Sequence, residues 1–357
     1  MDLVSLLDLV GEGPAAALLG AATGAIFGVA AQRSAFCLRA ATVEFARGQA
    51  GLRTTVWLLC FSTALVWVQA AALFGLFRPA DARIMAVPGS LSGAVIGGLL
   101  FGAGMVLARG CSGRLLVLAA TGNLRAVVSG LIFAVVAQMS LHGWLAPARQ
   151  AIAGHWTTPG GRNLDLLAWV GLPTGSGLVL GCGFAAIALY LARRNRVGPR
   201  ILFHASGVGF AVAVGWVATF RLSQAAFDPV SVTSVTFSGP SANTLMFFLV
   251  PAPDLSFDIG LVPGVFLGAA GAALLSREWV LQGFDGASQM RRSMLGAALM
   301  GFGAMLAGGC AIGNGVTGTS VLALTSWLAL CAMWAGAMLT DLVVDQRGGA
   351  LQPASNR

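Results

Sequence analysis

The chain contains no lysine: all 21 basic residues among its 357 are arginine. That absence removes any Schiff-base chemistry, which needs a lysine amine. Charge of either sign is scarce, at 10% of residues against 57% hydrophobic, where soluble domains carry about 25% charged residues. An ordinary soluble domain is thereby excluded, and an integral membrane protein remains. Six cysteines occur, yet none forms a CxxC pair, which argues against a disulfide-exchange enzyme or a metal clamp. No Walker motif is present, so the chain does not hydrolyse ATP itself. No carboxylate sits clearly in the middle of an apolar run, which leaves little support for a proton-coupled carrier. The opening MDLVSLLDLVGEG is acidic where a cleavable signal would be basic, so none is expected. The net charge of +8 does not indicate nucleic acid, because the arginines lie in short clusters between apolar runs. It reads as membrane topology.

What is abundant is apolar length and glycine. A helix needs about 20 apolar residues to cross about 30 Å of hydrocarbon. Nine candidate spans meet this: 14–32, 54–77, 88–108, 124–146, 165–192, 200–220, 257–276, 293–309 and 321–342. The 49 glycines suit close helix–helix approach in lipid. No extramembrane stretch is large enough to fold alone, so residues 1–357 form one all-α polytopic domain. Four segments, 33–45, 109–122, 229–250 and 310–320, are too apolar for loops and too short to cross. They read as short re-entrant helices, which protein or a water-filled cavity must shield at depth.

Arginine placement predicts the orientation. With nine spans and the N-terminus outside, 16 arginines fall on cytoplasmic segments, including Arg33, Arg39, Arg47, Arg109, Arg114, Arg347 and Arg357. Five remain outside: Arg78, Arg83, Arg149, Arg162 and Arg221. The positive-inside bias therefore sets the N-terminus outside and the C-terminus inside, as in a bacterial inner membrane.

A shift of 199 residues superposes GGLLFGAGMVLARGC (97–111) on GAALMGFGAMLAGGC (296–310), with eight identities that end on the shared Gly-Cys. These segments are the third and eighth spans, an odd number apart, so they run in opposite directions. The chain is expected to carry an inverted repeat, a transport architecture, with halves near 14–163 and 165–345. Cys111 then follows a span that ends inside, and Cys310 follows one that ends outside.

The six cysteines divide into two groups. Cys60, Cys182 and Cys331 read as small packing residues. Cys37 in QRSAFCLRAA, Cys111 in ARGCSGR and Cys310 in GGCAIGNG each follow a span at a break. A break followed by a short helix aims free N–H groups and a positive helix end at one point, which suits an anion. A thiol adds a soft, weakly hydrogen-bonding lining, polarisable enough to suit another sulfur atom. Several weak sites let an anion both enter and leave. Gly110 and Gly309 precede two of these cysteines, and Ser112, Asn123, Asn314 and Thr317 are candidate neutral hydrogen-bond donors. Capping is the alternative role for Ser112 and Asn123. Arg109 and Arg33 are open between anchoring at the interface and holding an oxyanion. His142 and His155 flank a span end. His204 lies within a span, as a helix–helix hydrogen bond or a pathway residue, and Asp341 is read as interfacial.

QRSAFCLRAA, GAGMVLARGCSGRLLVLAATGNLRA and GFGAMLAGGCAIGNGVTGTSVLALTSWLAL resemble the YeeE/YedE family of membrane proteins, over residues 24 to 342. The resemblance implies an hourglass-shaped helical protein of inverted halves that takes up thiosulfate. It implies three cysteines along a central pathway, which fall by motif on Cys37, Cys111 and Cys310. It further implies hand-over to a small cytoplasmic TusA-like sulfur carrier, here a separate chain. Some family members are linked to other sulfur or selenium compounds. No cofactor or metal is expected. One departure stands out: Arg109 precedes Gly110, where the second copy has Gly308. Two alternatives stay open: a membrane-embedded thiol or sulfurtransferase enzyme, and a channel for another small solute.

Overall fold

In a computed structural model, residues 7, 9–173, 175–251, 254–283 and 286–346 are described. Arg347 and Arg357 lie outside them, as does most of the acidic opening. Helices dominate, and the described residues contain no strand beyond isolated bridges. The long helices are α1 (Glu12–Ser34), α3 (Leu52–Leu73), α4 (Leu91–Leu107), α6 (Leu124–Leu141), α7 (Ser176–Arg194), α8 (Pro199–Ala225), α10 (Phe257–Leu275), α11 (Ala287–Leu306) and α12 (Leu324–Thr340). Three of the shorter helices are α2 (Leu38–Ala46), α5 (Ser112–Ala120) and α9 (Gly239–Phe247), with a π-helical turn at Gly313–Gly318.

Eight helical stretches among the described residues are long and apolar enough to cross a membrane. The expected span at 293–309 falls on α11, which does not join them because Arg291 and Arg292 occupy its first turns. Boundaries moved elsewhere for local reasons. The expected span 165–192 begins only at Ser176, because Gly171 and Gly175 take positive φ and Pro173 lies between them. A four-residue turn at Leu166–Trp169 fills the start of that run. Conversely, α8 runs five residues past the expected end at 220, to Ala225.

All four short segments expected at span breaks are present. At about 1.5 Å per residue, the nine-residue α2, α5 and α9 are each about 14 Å long, half of a bilayer core. Among them, α5 packs on α6 and α10, and α9, only partly buried, packs on α10 and α6.

Glycine sets the closest approaches. Gly20, Gly24 and Gly28 of α1 lie against Phe257, Leu261 and Val265 of α10, while Gly260, Gly264 and Gly268 lie against Ala17, Ala21 and Ala25. At each of these six positions a Cβ would meet the opposing carbonyl oxygen inside contact distance. A glycine every fourth residue on both helices therefore gives a backbone-to-backbone seam without a side chain between. The α4–α11 contact is reciprocal. Gly97 faces Gly303 and Ala307, whereas Gly296 faces Gly104 and Ala108, the same pair of positions 199 residues earlier.

Candidate functional site

Each candidate cysteine stands at the same local construction. Helices α1, α4 and α11 end in a left-handed residue two places before the cysteine: Ala35 (φ 51°), Arg109 (φ 57°) and Gly308 (φ 76°). The following N–H then reaches back five residues, Phe36 to Ala31, Gly110 to Met105 and Gly309 to Ala304. That is the Schellman closure of a helix. The cysteine comes next. Cys37 and Cys111 are extended, with φ −162° and −77°, and are the residues immediately before α2 and α5. The expected breaks are thus present at all three positions, each made by a defined turn.

Cys111 and Cys310 are fully buried, and Cys37 is half-buried. The side chains of Cys37 and Cys111 interact thiol to thiol, and Arg39 and Arg114 act electrostatically on Cys37. Cys310 Sγ accepts from two backbone amides, Phe237 at 3.3 Å and Gly313 at 3.4 Å, and lies 3.9 Å from Thr236 Oγ1. Cys310 is therefore reached by segment 226–238 as well as by its own π turn. Cys60 is fully buried, as a packing residue should be. Cys182 and Cys331 instead face outward.

The neighbouring candidates fare differently. Asn314, 1% exposed, spends its amide on the break itself: Nδ2 donates to Ala307 O at 3.0 Å and Gly309 O at 2.9 Å, and Oδ1 accepts from Ser326. Thr317 donates to the Val235 carbonyl. Both are framework residues of the turn. Asn123 is a cap, its Oδ1 accepting from Ala126 N at 2.9 Å. Ser112 does not cap; its buried hydroxyl has no protein partner, and neither has the buried Nη1 of Arg114. Gly110 and Gly309 are buried inside the turns, whereas Arg33 and Arg109 are exposed at helix ends. His204 neither bridges helices nor stands free, because Nδ1 contacts Arg200 O of its own helix at 2.6 Å. His142 and His155 are exposed. Asp341, at the end of α12, is fully buried against Arg47, which reaches it with a 3.0 Å ion pair.

Three residues matter more than their sequence suggested. Arg125 donates to Ala108 O at 2.7 Å, doing for the first break what Asn314 does for the second. Arg83 and Trp216 line a 50 Å³ cavity together with Thr236, Ser238, Gly308 and Gly313. Arg83 arrives there because Ala82 bridges Val232, with Arg83 N donating to Val232 O at 2.9 Å. No local pattern announces that long-range pairing.

Buried or half-buried thiols at three helix breaks, two opening the short helices α2 and α5 and one ahead of the π turn, within a bundle of membrane-length helices, define a multi-pass transport protein. The family model for sulphur transport matches residues 33–339, and the chain belongs to that family. Among curated relatives, the thiosulfate transporter TsuA of Escherichia coli (strain K12) is 28% identical over 362 residues, covering 92% of this chain and 95% of that protein. The thiosulfate transporter TsuA of Spirochaeta thermophila is 25% identical over 332 residues, covering 87% and 93%.

Proposed function

We propose that this protein takes up thiosulfate, or a closely related small sulfur anion, across a bacterial inner membrane by way of Cys310, Cys111 and Cys37. The observation that carries the reading is the same turn built ahead of all three thiols, in a chain whose relatives are named for thiosulfate transport. A helix closed by a Schellman turn leaves its next residue at the start of a new, short helix, where N–H groups are free. A thiol there donates a weak hydrogen bond and offers a polarisable sulfur surface. The anion steps between weak sites and is trapped at none. No covalent step is needed.

The path runs from Cys310, nearer the outside, to Cys111 and Cys37, nearer the inside. Its direction rests on the arginine bias, with the N-terminus periplasmic and the C-terminus cytoplasmic. The spans group as inverted halves, 14–163 and 165–345, supported by the reciprocal Gly97–Gly303 and Gly296–Gly104 contacts. The fully buried thiols of Cys111 and Cys310 lie in the opposite halves of this arrangement. Delivery to a separate TusA-like carrier at the inner face rests on the family resemblance.

Thiosulfate uptake in cells lacking other uptake systems tests the path, with Cys111 and Cys310 each replaced by alanine and by serine. Alanine is expected to lower the rate at least about tenfold, the effect of about 1.4 kcal/mol in a barrier. Serine, which keeps a donor, is expected to retain more. Full uptake in every variant would sink the cysteine pathway.

A further inference from the structure

Helix α5 borders a cavity of 340 Å³ that it shares with α6, α9 and α10. It contributes Ser112 and then Leu115, Leu116 and Ala119, the i, i+3, i+4 and i+7 positions of one helical face. Helix α9 repeats the arrangement with Ser241, Thr244 and Leu245, and with Phe248 just past its end. Arg114, two positions after Ser112, lies about 200° round the helix and acts on Cys37 instead. The cavity therefore stands on the opposite side of α5 from that guanidinium. No charged side chain lines it among the described residues. Leu131 of α6 and Phe266 of α10, both on helices of membrane-spanning length, line it and are exposed. The cavity is thus reached from the hydrocarbon side. Two polar groups in its wall are unmatched. Ser112 is 5% exposed, and its buried hydroxyl has no hydrogen-bond partner; the buried hydroxyl of Thr244 has none either. A bare hydroxyl in an apolar wall is a standing cost, which a second hydroxyl or a carbonyl relieves. A plain hydrocarbon chain relieves neither.

We propose that this cavity binds a neutral amphiphile drawn from the bilayer, its hydroxyl or carbonyl held by Ser112 and Thr244 and its apolar body lying along α5 and α9. The volume falls at the lower end of the range for small-molecule sites, about 300–1,000 Å³. At roughly 30 Å³ for a water-sized group it takes about eleven such groups, the size of a medium-chain alcohol. A charged head is excluded, because no counter-ion lines the wall and an unpaired buried ion is far too costly. Gly130 of α6 keeps the room open: a Cβ there would meet nothing within 4 Å. The site is independent of the uptake reading, since none of Cys37, Cys111 and Cys310 lines it.

The test uses the full chain in liposomes with a photoreactive octanol that bears a diazirine, and locates the label by peptide mass spectrometry. Label is expected in peptides carrying 112–134 and 241–248, several-fold above the exposed α7 face at Val179 and Ile187. Unlabelled octanol is expected to compete, whereas octane, which lacks the head, does not. Gly130→Phe, which fills the cavity, is expected to abolish the enrichment. Ser112→Ala is expected to lower it about fivefold, the effect of one neutral hydrogen bond. With the octanol–octane pair, Ser112→Ala decides the matter if Gly130→Phe does not fold. Even labelling over all lipid-exposed helices would overturn the proposal, as plain lipid contact. Equal competition by octane, with wild-type labelling in Ser112→Ala, would overturn it as an apolar groove without a place for a polar head.

Discussion

A left-handed residue two places ahead of a cysteine is an unusual demand, and the three sites meet it with different amino acids. Gly308 adopts φ 76° without penalty, whereas Ala35 and Arg109 hold φ 51° and 57° against their Cβ atoms, at about 1–2 kcal/mol each. Arg109, open in the sequence between an interface anchor and an oxyanion ligand, stands where the second copy has Gly308. Its backbone performs the same task as the glycine, and its side chain is exposed. The carbonyls these turns leave behind need donors. Arg125 supplies one to Ala108 O, and Asn314 supplies one to Ala307 O and one to Gly309 O. Asn314→Ala would leave buried carbonyls unpaired, at about 1–3 kcal/mol. The expected outcome is a lower thermal midpoint in detergent, which Asn314→Asp does not restore because a carboxylate cannot donate. An unchanged midpoint would show that the amide does not hold the turn.

Among whole elements, the spans were legible and the turns between them were not. Apolar length located every long helix, since burial in lipid demands it, although α11 starts at Ala287, ahead of the expected span 293–309, and takes in Arg291 and Arg292. The four short segments were also readable, because they combine apolar character with too little length. What composition could not give was register after the cysteines. From Cys111 to the next left-handed residue, Gly122, is eleven positions; from Cys310 to Leu322 is twelve. The additional residue sits in a stretch whose helix widens to a π turn at Gly313–Gly318, the usual way a helix absorbs one residue too many. A fixed 199-residue shift therefore loses the match just past the thiol. The glycine seam between α1 and α10 gives a sharper element-scale test. Gly264→Leu would drive a side chain into Ala21 and should cost more than about 3 kcal/mol. Gly271, on the same helix with nothing near its missing Cβ, should accept alanine with stability unchanged or raised by up to about 1 kcal/mol. Folded yield and unfolding midpoint in detergent separate the two. Equal tolerance at both positions would mean that the seam is not close-packed in the membrane.

Over the whole molecule, the proposed orientation rests on charge placement. Arg47 with Asp341, and Arg39 and Arg292 with Asp345, gather at one end of the bundle and tie α2 and α11 to the end of α12. The hydrogen bonds that Arg47 donates to the Asp341 carboxylate hold its guanidinium above its ordinary pKa, so Arg47 stays charged throughout the accessible pH range. A reporter fused after Asn195, beside Arg193 and Arg194, is expected to show cytoplasmic activity. One fused after Gly160, in the exposed 154–162 connection, is expected to report the outside. The opposite result would invert the direction assigned to the path. The Arg83 cavity belongs to this scale as well: its walls come from residues 83–84, 216–238 and 308–318. Sequence could supply its parts, but only the folded chain assembles them.

The glycine seam has a mechanical consequence. Under the two-half arrangement proposed above, α1 falls in the first half and α10 in the second, and each lays backbone directly on the other along three successive turns. A sliding or rocking motion of one half would have to lift carbonyls off glycines at all six positions together. Interlocked in this way, the halves resemble the two sides of a closed zip more than the arms of a hinge. On the proposed reading, solute then moves through a wall that stays still, and selection falls to the chemistry of that wall.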